Sequence, residues 1–273
     1  MRRSGIYIFL ALCIVAGVFV YGCENIELTS KWLDRDISID GDDVDWKNTT
    51  VFLENTRVAV GLFNDEDYLY ISLSPWDARR QNLIINKGLI IWFDPAGNHE
   101  KRFGICFPLE KEYETVLMVR QNDRKESEKT LQAFKELQDS LEIIARAEEK
   151  PIRMDLAEAR ATGISVGVGN SDGRLFYELK VPIHSGSGTT YAINPNGTKP
   201  FNIGFETPEV SLEASTEDTF DDYEEEDRGT GMLRRTRSSS VASRSRQMSD
   251  MLHENLQLWT NVRLSAKPPS GAR

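Results

Sequence analysis

The sequence from residue 58 to residue 73 is VAVGLFNDEDYLYISL, and it indicates the fold class more directly than any other stretch. Valine and leucine alternate with small residues over 58–62, and leucine and isoleucine alternate with tyrosine and serine over 68–73. A period of two directs one set of side chains into a core and the other set away from it. The polar run Asn64-Asp65-Glu66-Asp67 between them has the length of a hairpin turn. The stretch therefore predicts an antiparallel hairpin with one buried face.

Further strands follow along the chain. Residues 88–93 are apolar on both faces, as in a central strand, and Asp94-Pro95-Ala96-Gly97-Asn98 ends them as a turn. A second hairpin is predicted between 164 and 181, because Asp172-Gly173 tolerates the positive φ of a tight turn. With runs at 201–205 and 256–264, about nine short strands are expected. They predict a mainly β domain over residues 36–265, folded as a two-sheet antiparallel β-sandwich.

One segment changes period and predicts an amphipathic helix inserted into the sandwich. Between residues 124 and 148, apolar residues such as Leu131, Phe134 and Leu137 recur at spacings of three and four, which aligns them on one helical face. Lysine and glutamate occupy the other face, and Pro151 closes the segment. We expect this helix to pack against a sheet or to cover a site.

A second segment, residues 208–250, is strongly charged and has no strand pattern. It holds nine acidic residues from Glu213 to Asp227 and then six arginines from Arg228 to Arg246. Such a composition buries too little apolar surface to offset the entropy of ordering, so the segment is predicted to be disordered. Residues 266–273 are expected to form a tail.

The N-terminus has the pattern of an export signal. Arg2 and Arg3 precede an uncharged, mostly apolar run that ends at Gly22, and polar sequence begins after Cys23. Residues 1–22 resemble a bacterial lipoprotein signal peptide, with Cys23 as the lipidated residue and residues 23–35 as a tether. The alternative is an uncleaved anchor helix, although the apolar run is shorter than the roughly 20 residues that span a bilayer. Both interpretations place the domain in the bacterial cell envelope, membrane-anchored and facing the periplasm or the exterior.

Charge and cysteine content narrow the choice of partner and of stabilising chemistry. Loss of Arg2 and Arg3 removes two positive charges from a formal net charge of −10 and leaves −12, which argues against nucleic acid and against an anionic lipid surface as partners. Cys13 would leave with the signal and Cys23 would carry lipid, so no disulfide framework is expected. The apolar neighbours of Cys106 predict a buried, inert thiol.

Several motifs occur in an order that is typical of one family. Ile37-Ser38-Ile39-Asp40-Gly41 is followed by Asp45-Trp46, and the 58–71 hairpin has an acidic turn before Tyr68-Leu69-Tyr70-Ile71. Residues 88–94, 177–182 and 201–205 continue the series. Together they resemble the family-nine carbohydrate-binding module and related DOMON-like domains, over about residues 36–108 and 163–206 plus the last strand. The resemblance implies a β-sandwich whose relatives bind sugars or, in some branches, haem.

A carbohydrate site needs an aromatic face for the apolar side of a pyranose and planar polar groups for its hydroxyls. Trp76 is the best candidate, because it stands at a predicted strand end and is followed by a polar loop. The predicted ligand-binding residues are Trp76, Asp77, Arg79, Arg80 and Gln81. The alternative is that Trp76 packs at a sheet edge and the charges are solvated.

The remaining tryptophans have structural interpretations. Trp46 and Trp92 lie in strand-like contexts and are expected to pack in a core. Trp259 lies opposite the core face of the last strand, so it is either exposed or covers the other sheet.

Metal, cofactor and catalytic signals are weak. The acidic run Asp40, Asp42, Asp43 and Asp45 has oxygen ligands at a spacing that suits Ca²⁺, but a solvated turn is favoured and no metal site is predicted. The histidines have loop-like settings and no haem-attachment motif occurs, so no cofactor is predicted. Without a nucleophile elbow, a zinc-protease helix or a phosphate-binding glycine loop, the chain is not expected to be an enzyme.

Two functions remain open at this point. The first is an envelope lipoprotein with a ligand-binding β-sandwich module, for which carbohydrate is the expected ligand. The second is a structural or assembly lipoprotein that binds envelope protein partners through the inserted helix or the charged segment. The identity of the ligand, the choice of inner or outer membrane and the oligomeric state stay undetermined.

Overall fold

A computed structural model confirms a mainly β chain in which two sheets pack together. It describes residues 26–110, 138–146, 148, 150–186, 188–208 and 255–269. The strands are β1 Ile26–Thr29, β2 Lys31–Trp32, β3 Val51–Leu53, β4 Val58–Asn64, β5 Tyr68–Pro75, β6 Ile90–Asp94, β7 Phe103–Cys106, β8 Ser140–Ala145, β9 Ile152–Asp155, β10 Ser165–Ser171, β11 Arg174–Pro182, β12 Phe201–Glu206 and β13 Gln257–Arg263. The helices are α1 Ala78–Lys87 and α2 Leu156–Ala161, with a 3-10 turn at Val44–Trp46.

Both sheets are mixed. Sheet A has the strand order β1-β13-β12-β6-β7-β8-β9. Sheet B has the order β10-β11-β5-β4-β2, and β3 also pairs with β4. The pairs β1–β13 and β2–β4 are parallel, and the other pairs within the described residues are antiparallel. The predicted sandwich is therefore confirmed, with parallel pairing where the two N-terminal strands join a sheet.

The two hairpins predicted from alternation are confirmed and supply much of the core. In β4 and β5, the residues at 58, 60, 62, 69, 71 and 73 are buried between the sheets. Asp65 shapes the turn, because its Oδ1 accepts the backbone N–H of Asp67 at 2.8 Å and that of Tyr68 at 2.6 Å. Each fully buried aliphatic side chain stabilises such a core by roughly 1.5–3 kcal/mol.

The prediction of a tether over residues 23–35 is wrong from Ile26 onward. β1 pairs with β13 and buries Leu28, and the chain then crosses to sheet B at Ser30. The crossing is held by hydrogen bonds, because the Ser30 hydroxyl donates to Asn64 Oδ1 at 2.5 Å and the Ser265 N–H donates to the same oxygen at 3.0 Å. β1 and β2 are short and pair with strands far along the chain, so no local sequence pattern predicts them.

The predicted helix over 124–148 is wrong at its C-terminal end. Residues Ser140–Ala145 form β8, which pairs with β7 and β9, and Leu141 and Ile143 face the core. The apolar residues in this stretch fit a period of two as well as the helical spacing. The rest of the predicted helix lies in 111–137, outside the described residues, and so does nearly all of the predicted disordered segment.

The N-terminal signal and Cys23 also lie outside the described residues. Within the part of the chain that the structure describes, no helix combines the length and the apolar character needed to cross a bilayer.

Candidate functional site

The outer face of sheet B is divided into a covered part and an open part. Residues 33–50 fold over one part and bury Trp46, Phe63, Tyr70 and Phe176 in a second apolar cluster. The other part, at the end of β5, keeps two aromatic side chains in contact with solvent. The covered part explains the sequence motif around Trp46, and the open part is the candidate binding surface.

Trp76 lies at the open end, directly after β5. Its side chain is 48% exposed, and the neighbouring Phe52 of β3 is 45% exposed. The two rings meet edge to face, with centroids 5.7 Å apart and planes at 72°, a geometry favoured by aromatic quadrupoles. The backbone N–H of Trp76 donates to the carbonyl of Arg57 at 2.9 Å, which extends the β4–β5 ladder by one more bond. The main chain beneath Trp76 is therefore held in place while its indole stays partly in water.

Arg174 completes this surface from the opposite side of Trp76. Its guanidinium carbon lies 4.2 Å from the centroid of the indole ring, a cation–π contact. Strand pairing accounts for the contact, because Tyr177 of β11 lies opposite Leu73 of β5, and the same register continued to the strand ends places Arg174 opposite Trp76. We call Phe52, Trp76 and Arg174 the Trp76 surface.

The segment that follows Trp76 is a helix and not the predicted polar loop. Asp77 is the N-cap of α1, and its Oδ1 accepts the backbone N–H of Arg79 at 2.8 Å. Such a cap stabilises a helix by about 1 kcal/mol. Arg79 is exposed in the first turn of this helix, at the border of the Trp76 surface. Of the five predicted site residues, Trp76 and Arg79 are therefore exposed, and Asp77 has a structural contact of its own.

The last two predicted site residues are turned toward the protein's own backbone. Gln81 is 1% exposed; its Nε2 donates to the carbonyl of Pro75 at 3.0 Å, and its Oε1 accepts the N–H of Leu175 at 3.1 Å. Arg80 donates through Nη1 to the carbonyl of Thr56. These bonds connect α1 to β5, to β11 and to the turn before β4 below the Trp76 surface, so both side chains support that surface from beneath and neither is part of it.

Sequence reasoning missed Phe52 and Arg174, which come from strands distant from Trp76 along the chain. Arg174 follows the strong Asp172-Gly173 turn signal, so its place at a strand end was predictable. Its partner was not, since the pairing of β11 with β5 is not local. Phe52 gave no signal, because β3 has only three residues.

The covered part of the face contains a buried carboxylate that sequence reasoning also missed. Glu178 of β11 is fully buried and accepts three hydrogen bonds from the overlying segment. Its Oε1 accepts from Trp46 Nε1 at 2.6 Å, and its Oε2 accepts from the N–H groups of Asp40 at 2.9 Å and Gly41 at 2.5 Å. Burial raises the pKa of Glu178 to about 7, although the three donors act in the opposite direction.

Two glycines allow the overlying segment to approach β10 and bury this carboxylate. Gly41 has φ of +85°, and a Cβ added there would lie 2.4 Å from the backbone nitrogen of Gly169. Only a residue without a side chain fits that backbone conformation and that distance. The motif from Ile37 to Trp46 therefore forms a clasp that packs on sheet B, and we call it the Glu178 clasp.

The acidic turn in this segment uses its carboxylates as local acceptors. Asp40 Oδ1 accepts the N–H of Asp42 at 2.9 Å, Asp42 Oδ1 accepts that of Val44 at 3.2 Å, and Asp45 Oδ2 accepts that of Ser38 at 3.0 Å. Across the described residues, no group of three or more His, Cys, Asp or Glu side chains has the geometry to hold a metal ion.

Tryptophans also cover the outer face of sheet A. Trp92 is 7% exposed, lies across Gly104 and donates through Nε1 to Glu206 at 2.8 Å. Trp259 lies across Gly204, opposite the core as expected, and stacks on His99 with ring centroids 5.3 Å apart. The expectation that Trp46 and Trp92 are buried is confirmed, although each packs on the outer face of a sheet and not between the sheets. Both faces of the Trp259 ring have neighbours, so this surface is less open than the one at Trp76.

The thiol of Cys106 is buried, as expected, on the same outer face. Burial raises the pKa of Cys106 to about 12, so the group is a neutral thiol near pH 7. A neutral buried thiol is a poor nucleophile, and Cys106 is not a candidate for reactivity.

No protein-family model and no curated protein matches the chain. Among solved structures, the chain is similar to a family 9 carbohydrate-binding module from Caldicellulosiruptor kristjanssonii in complex with glucose, with 10% sequence identity and a TM-score of 0.36. The alignment covers 89% of this chain and 98% of that one. A likeness at this level assigns neither a family nor a ligand to this chain.

Proposed function

We propose that the chain is a non-catalytic binding module of the bacterial envelope and that the Trp76 surface binds carbohydrate. The observation that carries the proposal is the exposure of Trp76 and Phe52, nearly half of each side chain, beside the guanidinium of Arg174. Exposed apolar surface beside polar groups is typical of sites that bind a ligand or another protein.

The chemistry of the surface suits a sugar. One face of a pyranose carries only C–H groups, which pack on an aromatic ring, while its hydroxyls need donors and acceptors in fixed directions. The guanidinium of Arg174 has five N–H donors in one plane. Its contact with the Trp76 ring is a cation–π contact and takes up none of these donors in a hydrogen bond. A sugar that contacts Trp76 would therefore find apolar surface and hydrogen-bond donors side by side.

The support at the base of the surface favours binding without a large rearrangement. Gln81 connects β5 and β11 beneath Trp76, Arg80 bonds the turn before β4, and the Asp77 cap holds the start of α1. A surface whose backbone is already ordered loses less conformational entropy on binding. We infer that ligand recognition here needs side-chain adjustment only.

The absence of catalysis is also part of the proposal. Among the described residues, Glu178 is the carboxylate with a strongly raised pKa, which in a cleft would suggest an acid or base. Here its side chain is fully buried and its oxygens accept three N–H groups of the clasp, so it has no route to a substrate. These contacts indicate that Glu178 has a structural role.

A second candidate function has its own support in the same surface. Tryptophan and arginine are the residues most enriched at the energetic centres of protein interfaces, and Val51 beside Phe52 is also exposed. A scaffold lipoprotein that binds an envelope protein through this surface is the alternative. The two functions differ in the ligand and share the residues.

Lipid anchoring through Cys23 is proposed on the sequence pattern of residues 1–23. It predicts that the mature chain carries a thioether-linked lipid and starts at Cys23. Intact-mass analysis of the chain purified from membranes tests this directly. A chain that begins at Met1, or that has an unmodified Cys23, would contradict lipidation.

Binding is tested with an oligosaccharide array, followed by thermal-shift assays with each positive sugar. A ligand that binds the folded state raises the melting temperature by mass action. Trp76→Ala is expected to abolish the shift, whereas Trp259→Phe, on the outer face of the other sheet, is expected to keep it. If Trp76→Ala binds as the wild type does, the site assignment fails. If no sugar binds but an envelope protein is retained by the wild type and not by Trp76→Ala, the scaffold function replaces this proposal.

A further inference from the structure

The Trp76 surface lies at one particular end of the sandwich, and strand directions define which end that is. β4 begins at Val58, which pairs with Pro75, so the start of β4 and the end of β5 lie beside Trp76. β2 runs parallel to β4 and pairs with its last residues, Phe63 and Asn64. β2 therefore runs away from the end of the sandwich that carries Trp76.

The beginning of the described chain points to that same end. β1 leads into β2 through Ser30, and Ser30 continues the ladder with β13 because its N–H donates to the carbonyl of Arg263 at 3.0 Å. The backbone thus continues in one direction from β1 to β2. Since β2 points away from the Trp76 end, the start of β1 at Ile26 faces toward it.

The proposed lipid is close to the start of β1. Cys23 precedes Ile26 by three residues, and a fully extended chain spans at most roughly 3.6 Å per residue, or about 11 Å over this stretch. Ile26 pairs with Thr260, and β13 begins three residues earlier at Gln257, so a stretch of this length is long enough to bring a lipid on Cys23 to the end of the sandwich that carries Trp76.

The side chains at this end suit the headgroup region of a bilayer. Trp76 and Phe52 are exposed, and aromatic residues such as tryptophan are enriched where membrane meets water. Arg174 lies on the indole of Trp76, and Arg57, whose carbonyl accepts the Trp76 N–H, is also exposed. Arginine forms paired, charge-assisted hydrogen bonds with phosphate and carboxylate groups. Glu54, Asp77 and Asp172 lie at the same end, so its arginines alternate with acidic side chains in a chain whose net charge is −10.

We propose that the ligand of the Trp76 surface is the sugar-bearing, negatively charged headgroup of a glycolipid in the membrane that holds the anchor. The proposal rests on carbohydrate binding at this surface and on a lipid at Cys23. It gives each group a role: Trp76 and Phe52 contact the sugar ring, and Arg174 pairs with the acidic group. The lipid anchor then keeps the Trp76 surface close to the membrane that contains the headgroup ligand, and this raises the effective concentration of that ligand.

The test uses the full lipidated chain, reconstituted through its own lipid into three kinds of vesicle. One contains phosphatidylcholine alone, the second adds phosphatidylglycerol, and the third adds a glycolipid with an acidic sugar headgroup. The difference in fluorescence between wild type and Trp76→Phe reports the environment of Trp76. Acyl chains that carry bromine quench an indole at the headgroup boundary. Soluble oligosaccharide with the same headgroup is titrated in parallel.

The expected result is a blue shift and quenching of the Trp76 emission in glycolipid vesicles, at least twofold stronger than in the other two, and loss of the effect in Arg174→Ala. A matched substitution, Arg153→Ala on the edge strand β9, should leave the effect intact. Equal quenching in all three vesicles would overturn the glycolipid assignment and indicate a general membrane contact. A response to soluble oligosaccharide with none in any vesicle would overturn this inference and leave carbohydrate binding in place. An unmodified Cys23 would overturn it at its first step.

Discussion

Trp46 and Trp76 both contact the outer face of sheet B, yet the first is 1% exposed and the second is 48% exposed. Around Trp46, the clasp supplies apolar neighbours and Glu178 accepts the indole N–H at 2.6 Å. Around Trp76, no segment within the described residues covers the ring, and its contacts are Phe52 and Arg174. One face of sheet B therefore combines a closed structural region with an open surface. Tryptophan stabilises the fold in the first and remains available to a ligand in the second.

The difference follows from how each region satisfies its polar groups. In the Glu178 clasp, every donor that faces the carboxylate is used within the protein, so nothing remains for a ligand. At the Trp76 surface, the polar groups beneath the ring bond the backbone, and the partly exposed Arg174 lies on the indole. Substitutions in the Glu178 clasp should therefore lower the free energy of unfolding, whereas those at the Trp76 surface should mainly lower ligand affinity.

The largest effect on stability is expected from Trp46→Ala. It removes a fully buried ring from the clasp and leaves a donor-free cavity beside Glu178, so the free energy of unfolding should fall by about 3–5 kcal/mol. Urea unfolding monitored by circular dichroism measures the change. A loss below about 1 kcal/mol would mean that the clasp does not contribute to the folded state as described.

The next effect is a pH dependence that originates in Glu178. Its pKa is raised from 4.5 to about 7, so between these values the folded state holds a proton that the unfolded state has lost. Stability from this group is therefore greatest below pH 4.5 and decreases as the pH rises through 7. A shift of this size corresponds to about 3 kcal/mol.

Glu178→Gln removes that titration and also one of the acceptors of the clasp. We expect the wild type to exceed the variant in unfolding free energy by more at pH 5 than at pH 8, with a difference of about 2–3 kcal/mol between the two conditions. Gln81→Leu, which destabilises the fold without removing a titratable group, is the matched control and should keep the wild-type pH dependence. Parallel curves for wild type and Glu178→Gln would contradict the raised pKa.

A smaller effect is expected from Gln81→Leu, which tests whether this predicted ligand residue is structural. The change leaves the carbonyl of Pro75 and the N–H of Leu175 without their partner, which should cost about 1–3 kcal/mol of stability. Thermal unfolding measures this cost. If stability is unchanged while sugar binding disappears, Gln81 belongs to the site and the present assignment is wrong.

The smallest effect on stability is expected from Arg174→Ala. A partly exposed cation–π pair contributes about 0.5–1 kcal/mol, so the unfolding free energy should fall by no more than that. The affinity for the ligand should fall at least tenfold, or about 1.4 kcal/mol. Arg174→Lys distinguishes charge from geometry, because lysine keeps the charge and loses the planar set of donors. Unchanged affinity in Arg174→Ala would remove this residue from the surface.

The sequence predicted the parts of the fold that have local patterns. The 58–73 hairpin, the turn at Asp172-Gly173 and the central strand near Trp92 are visible as alternation or turn chemistry, and the structure confirms them. β1 and β2 were missed because they are short and pair with strands far away in sequence. β8 was assigned to a helix because Leu141 and Ile144 fit a spacing of three.

For the candidate site, local reasoning found the aromatic residue and not its neighbours. Trp76 stands out because it follows a strand at a position where the chain turns. Phe52 and Arg174 reach it through strand pairing, which a single sequence does not specify. Gln81 and Arg80 were chosen as polar residues near Trp76, but residue type alone does not distinguish a side chain that bonds a ligand from one that bonds a nearby carbonyl.

The most direct test of the account is to measure sugar affinity and unfolding free energy together for wild type and Trp76→Ala, using calorimetric titration with the best oligosaccharide from the array. We expect at least a tenfold loss of affinity with a loss of about 1–2 kcal/mol in unfolding free energy, because the half-exposed ring also loses its contacts with Phe52 and Arg174. Unchanged affinity in a stably folded Trp76→Ala variant would contradict the claim that the open end of sheet B is the binding surface.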